Sequence, residues 1–161
     1  MLSSVLPLSA FLTLSTAHFL LDYPIVRGFD EDILGTFPCG GQPKISPNRT
    51  LVSLTAIPIA LTMGHDQAVI QILLGLGNDV GDNFNIVLEP TFSQTGLGGF
   101  CLPDVPIPAG LNITEGMNAT LQVVTDGEGG GGLYNVYLAP SVFWVWLLTN
   151  TVRRHNLHVY G

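Results

Sequence analysis

The sequence predicts an all-β fold, an antiparallel β-sandwich, and three observations carry that expectation. The apolar runs are short and rich in β-branched residues, and 19 glycines and 11 prolines cut them at turn spacing. Leu121 and Val123 alternate with Gln122, the period of two that half-buries a strand. A chain of 161 residues holds one domain with a full core and is too short for two comfortable ones. Strands of this kind pair antiparallel and stack as two sheets.

The elements follow in chain order. Residues 1–17, MLSSVLPLSAFLTLSTA, carry no charge, have a leucine-rich centre and end in Ser15-Thr16-Ala17. Small residues at the positions a signal peptidase reads make this a secretory leader cleaved after Ala17, and the stretch is too short to span a bilayer. Strands are expected over residues 18–23, 51–61, 84–88 and 119–125, with Pro58 suiting an edge or a bulge. Residues 68–76 read equally as a strand or a short helix, because an apolar run of that length does not decide. The densest turn signals are 96–99 and 127–132. The second glycine run lacks the trailing Lys-Ser/Thr of a phosphate cradle and reads as a loop.

From Val136 the character changes. VYLAPSVFWVWLLTN is apolar, and TVRRHNLHVYG adds two arginines and two histidines without an acid. The expected division is therefore a leader (1–17), a body (18–135) and a discordant tail (136–161). Valine codons begin with the first two bases of an intron, so the tail reads as translated intron. A sandwich whose strands stop at Asn135 would leave an open edge and an incomplete C-terminal end.

Charge and cysteines narrow the function. All 12 acidic residues but only Arg27, Lys44 and Arg49 of the five basic ones lie in the body, giving it a charge of about −9. Phosphate binding needs clustered cations, so nucleic acid is excluded as a partner. Cys39 and Cys101 are the two cysteines, and in a secreted chain an even pair is a candidate disulfide. Sequons at Asn48, Asn112 and Asn118 make three N-glycosylation candidates and agree with export. Asp30-Glu31-Asp32 reads as a solvated acidic turn. The body offers no Gly-x-Ser-x-Gly elbow, His-Glu-x-x-His helix or dinucleotide fingerprint.

Cleavage after Ala17 would make His18 the first residue. Its α-amine and imidazole Nδ1 could then chelate one metal ion, and a second imidazole would complete three nitrogens. That set suits copper, since copper(II) heads the divalent affinity series and takes tetragonal nitrogen sites. His155 and His158 lie in the tail, which leaves His65, between two strand-like runs, as the second imidazole. Alone, His65 would be a solvated loop histidine; paired with His18 it reads as a ligand. Met63 reads as packing.

These residues resemble the copper acquisition factor family of secreted fungal proteins, which is similar in fold to lytic polysaccharide monooxygenases. The matching signature is His18-Phe19, Tyr23-Pro24, Arg27-Gly28-Phe29, Glu31-Asp32 and Pro38-Cys39-Gly40-Gly41. It continues through His65, Gly99-Phe100-Cys101-Leu102-Pro103, residues 118–123, Asp126-Gly127 and Leu133-Tyr134-Asn135. The resemblance implies an immunoglobulin-like β-sandwich with one copper ion in a histidine brace of His18 and His65. It also implies a carboxylate on copper from a Cys-Ala-Asp triplet, where this chain reads Val136-Tyr137-Leu138. Asp66 and Asp126 are chemical stand-ins for that role. Were the tail intron, Cys39 and Cys101 could pair with cysteines not written here.

The leading expectation is a non-catalytic copper binder, secreted or at the cell surface. It would serve copper acquisition or homeostasis, with membrane anchoring through a lipid (GPI) anchor in the full-length family form and a copper transport partner. A copper monooxygenase acting on polysaccharide is the alternative, and a structural cell-wall glycoprotein the third. The body has no tryptophan, Trp144 and Trp146 both falling in the tail, and that weighs against a sugar-stacking face.

Overall fold

The computed structural model describes residues 18–47, 49–127 and 131–139. Within them the chain forms seven strands: β1 (Phe19–Tyr23), β2 (Ala56–Met63), β3 (Gln67–Leu76), β4 (Ile86–Thr95), β5 (Gly98–Pro106), β6 (Ala119–Asp126) and β7 (Gly132–Ala139). Among the described residues there is no α-helix, only a 3₁₀ turn at Glu31–Ile33. One sheet runs β1-β2-β5 and the other β4-β3-β6-β7, and every strand pair is antiparallel. The all-β sandwich is as the sequence predicts.

The core follows from period-two patterning. On β2, Ile57, Ile59, Leu61 and Met63 are buried while Pro58 and Thr62 face out. On β3, Ile70, Ile72 and Leu74 are fully enclosed, and Leu121 and Val123 of β6 meet them. Each such side chain contributes about 1.5–3 kcal/mol by leaving water. Residues 68–76 are therefore strand. Pro58 lies at the register shift of β2 against β5, and β1 begins its pairing only at Ala60, so the missing N–H costs no ladder bond.

Other elements differ from expectation for identifiable reasons. Residues 51–55 do not join β2, because Ser53 Oγ accepts from Thr55 N–H at 3.1 Å and holds a local turn. The strand expected at 84–88 runs on to Thr95 through Pro90, which β4 tolerates as an edge strand. The strand β5, with Gly98, Gly99, Pro103 and Pro106, is likewise an edge, and glycine and proline hid it.

The boundary expected at Asn135 falls inside β7, which pairs with β6 as far as Ala119↔Ala139. Val136 stands opposite Gln122 and is 2% exposed. The far edge of β7 is covered by the β1–β2 connection, residues 24–55, which acts as a strap. Arg27 N–H donates to Val136 O at 3.0 Å, and Tyr134 N–H donates to Leu34 O at 2.9 Å. The strap also covers the outer face of β6, where Gln122 Nε2 donates to Pro38 O at 2.6 Å. The open edge expected at the end of the body is thus closed by backbone from near its start. Residues 1–17 and 140–161, the leader and most of the expected tail, lie outside the described residues.

Candidate metal centre

Both predicted histidines reach one end of the sandwich. Pairing of Phe19 with Met63 sets His18 at the mouth of β1, beside the turn that follows β2. That turn is Gly64-His65-Asp66, and it crosses from one sheet to the other to start β3. Gly64 N–H donates to His18 O at 2.8 Å, which fixes the His18 backbone one residue from His65. The next carbonyl, Phe19 O, accepts from buried Asn135 Nδ2 at 3.0 Å, so β1 is tied to β7 across the core. Gly96 N–H donates to Asp66 O at 2.7 Å and ties the β4–β5 turn to the same end.

Gly64 is required for this closeness. A Cβ there would stand 2.5 Å from His18 O, a backbone atom that cannot rotate away. Gly64→Ala is expected to destabilise the fold by about 1–3 kcal/mol by forcing β1 from the turn. Urea denaturation measures this, and an unchanged midpoint would show that the approach is not needed.

His18 Nδ1 lies 2.5 Å from Glu31 Oε1, on the strap's 3₁₀ turn. Sequence reasoning missed this partner, having read Glu31 as part of a solvated turn. In the resemblance Glu31 stood only as part of the Glu31-Asp32 pair, and nothing there placed it beside His18. Of the two carboxylates weighed as stand-ins, Asp126 accepts from Val69 N–H at 2.7 Å, and Asp66 is exposed in the turn itself. Met63 is 3% exposed and packs in the core, as expected.

The donor set has a consequence for metal binding. Among the described residues no three His, Cys, Asp or Glu side chains gather around one point. A metal held at His18 and His65 therefore needs a further donor, and cleavage after Ala17 would free the His18 α-amine beside its own ring. Imidazole and amine nitrogens fit copper.

Cys39 and Cys101 are both free thiols, so the candidate disulfide between them is not made. Cys39 sits in the strap beside Arg27, next to the β7 edge, whereas Cys101 is exposed on β5, an edge of the other sheet. Burial pushes the Cys39 thiol above its ordinary value of 9.0; Arg27 opposes the shift and Asp79 adds to it. As pH rises through 9.0 the unfolded thiol ionises before the folded one, so this group costs stability only in that alkaline range. Iodoacetamide at mildly alkaline pH is expected to label Cys101 several-fold faster than Cys39. Peptide mass mapping reads the rates, and equal labelling would contradict the assignment. A cavity of about 620 Å³ between the strap and the 79–82 loop includes Cys39 but neither His18 nor His65. Of the sequons, Asn112 is exposed, Asn118 is half-buried, and Asn48 lies outside the described residues.

Comparison with known proteins points the same way. The family model for the copper acquisition factor BIM1-like domain matches residues 16–137. The chain is 53% identical over 132 residues to an uncharacterized protein of Aspergillus fumigatus, covering 79% of this chain and 54% of that one. It is 35% identical over 157 residues to the lytic polysaccharide monooxygenase-like protein ham-7 of Neurospora crassa, covering 84% and 68% respectively. It is 30% identical over 142 residues to copper acquisition factor BIM1 of Cryptococcus neoformans var. neoformans, covering 83% and 64%. The chain thus spans 54% to 68% of the length of these three relatives.

Proposed function

The chain belongs to the BIM1-like copper acquisition factor family, and from that membership we propose that its secreted form binds one copper ion through His18 and His65. The ion is cargo, taken up for copper acquisition or homeostasis at the cell surface, without catalysis on a second substrate. Release from the leader after Ala17 supplies the α-amine, which binds together with Nδ1 of the same residue. The observation that supports this reading is the Gly64 N–H to His18 O bond, which holds the His18 backbone against the turn that carries His65.

The chain's own groups do the preparatory work. Asn135 and Gly64 hold two successive carbonyls at the start of β1, so the terminus stays ordered where a free end would fray. The His65 turn is pinned through Asp66 O. Copper, when bound, supplies a redox-active cation that favours nitrogen donors. Secretion, a lipid anchor and delivery to a copper transport partner belong to the same proposal.

The test is copper(II) titration of the secreted protein with a free His18 terminus, beside a form whose terminus is extended. Equal affinity overturns the brace. Peroxide-driven release of oxidised oligosaccharides by the copper-loaded protein would overturn the non-catalytic part and favour the monooxygenase reading.

A further inference from the structure

We infer that Glu31 is the carboxylate of this copper site: it occupies the binding position on His18 before the ion arrives and remains beside the ion as an oxygen donor. This rests on the reading that His18 and His65 hold copper. Its starting point is a shared atom. Nδ1 of His18 is the ring nitrogen that chelates together with the α-amine, and Glu31 Oε1 stands 2.5 Å from that nitrogen. A metal–imidazole bond is about 2 Å long, so an ion on Nδ1 would stand close to where the carboxylate oxygen now is. An ion on Nδ1 would therefore require the carboxylate to draw back from that nitrogen. A retreat of about 1.5 Å would put that oxygen at a metal–oxygen bond length of about 2 Å, so the carboxylate would stay within reach of the ion.

The strap delivers Glu31 from a fixed base. Asp30 Oδ1 caps the turn by accepting from Asp32 N–H at 3.2 Å. Leu34, three residues on, is 2% exposed, and its carbonyl is bound by Tyr134 N–H of β7. The Glu31 side chain itself is 55% exposed against 23% for His18, so it is free to swing while its backbone is held. Charge gives it a purpose. Two imidazoles and an amine are neutral, and they would leave a divalent ion with its full charge near a half-buried ring. One carboxylate halves that charge. Because copper(I) carries a single charge and accepts two or three imidazole-like donors, Glu31 should favour copper(II) selectively.

The experiment compares the secreted protein with its Glu31→Gln and Glu31→Asp variants, each with a free His18 terminus. Chelator competition with copper(II) and copper(I), the copper(II) electron paramagnetic resonance spectrum and the metal-free melting curve are read for each. Glu31→Gln is expected to weaken copper(II) binding roughly 10–100-fold, with a changed spectrum and an unchanged metal-free melt. Copper(I) affinity should hold within a few-fold, and Glu31→Asp should recover part of the copper(II) loss. If the parent binds copper and Glu31→Gln matches it in affinity and spectrum, this inference fails and the brace stands. Equal losses for both oxidation states with a lowered melt would make Glu31 a structural contact and overturn it also. No copper binding by the parent would sink the brace itself.

Discussion

Left with a Gly-Ser-Gly-Ser extension ahead of His18, the secreted protein is expected to bind copper(II) on the order of a thousandfold more weakly than the form that begins at His18, a loss of about 4 kcal/mol. The extension leaves both imidazoles in place. Gly64 N–H still meets His18 O, and Asn135 still meets Phe19 O, since neither bond involves the His18 nitrogen. What changes is that nitrogen alone. As an amine, with a pKa near 8, it gives up its proton to a metal at neutral pH; as a peptide amide it does so reluctantly. The closed ring of amine, Cα, Cβ and imidazole is lost with it. The extension has to be several residues long, because a single residue ahead of His18 would create a new amine–amide–imidazole chelate of its own. His18→Ala is the complementary variant, keeping an amine and losing the ring. If the extended form retains the parent affinity, the terminus has no role and the brace fails.

What the sequence made legible was whatever depends on local pattern or on chemistry at one residue. The apolar run at 51–61 exposed β2, and alternation exposed β6. Edge strands were illegible for a physical reason: β5 and the second half of β4 bury little and tolerate proline, so their burial alternates weakly and their turn residues dominate. The strand β7 was divided at Asn135 because its composition changes there, although pairing does not: Asn135 and Val136 stand opposite Val123 and Gln122 without a break. Gln122 illustrates the same limit on the other face. Its alternation with leucine and valine implies a solvent side, yet it is 1% exposed, since the strap lies over it. The Glu31–His18 contact was hidden likewise. It joins residues 13 apart through a segment whose path is set by bonds to β7, more than 90 residues away, and no local signal records those.

That dependence on the strap makes Gly40→Ala the substitution expected to damage the fold most. Gly40 has φ +57°, where an alanine costs about 1–2 kcal/mol in backbone strain. An added Cβ would also stand 2.1 Å from Tyr134 O, and that oxygen belongs to β7, paired on its other side with β6. Neither backbone yields cheaply: Gly40 N–H is held by Thr36 O at 2.8 Å, and Leu34 closes the other side at 3.3 Å from the new atom. Relief requires lifting the strap from the sheet, which strips cover from Gln122 and reopens the β7 edge. A total of about 3–5 kcal/mol is a large share of the roughly 5–15 kcal/mol that holds a domain together. Gly116 is the internal control, with φ +88° and no atom within 4 Å of a built Cβ, so Gly116→Ala carries the backbone term alone. Thermal melts should place Gly40→Ala lowest, by about 10–20 °C against the parent, with Gly116→Ala only about 4–8 °C below it. Equal shifts for the two would mean that the strap is loosely laid. Glu31 would then hang on a mobile segment, and its contact with His18 would be one conformation among many rather than a prepared donor.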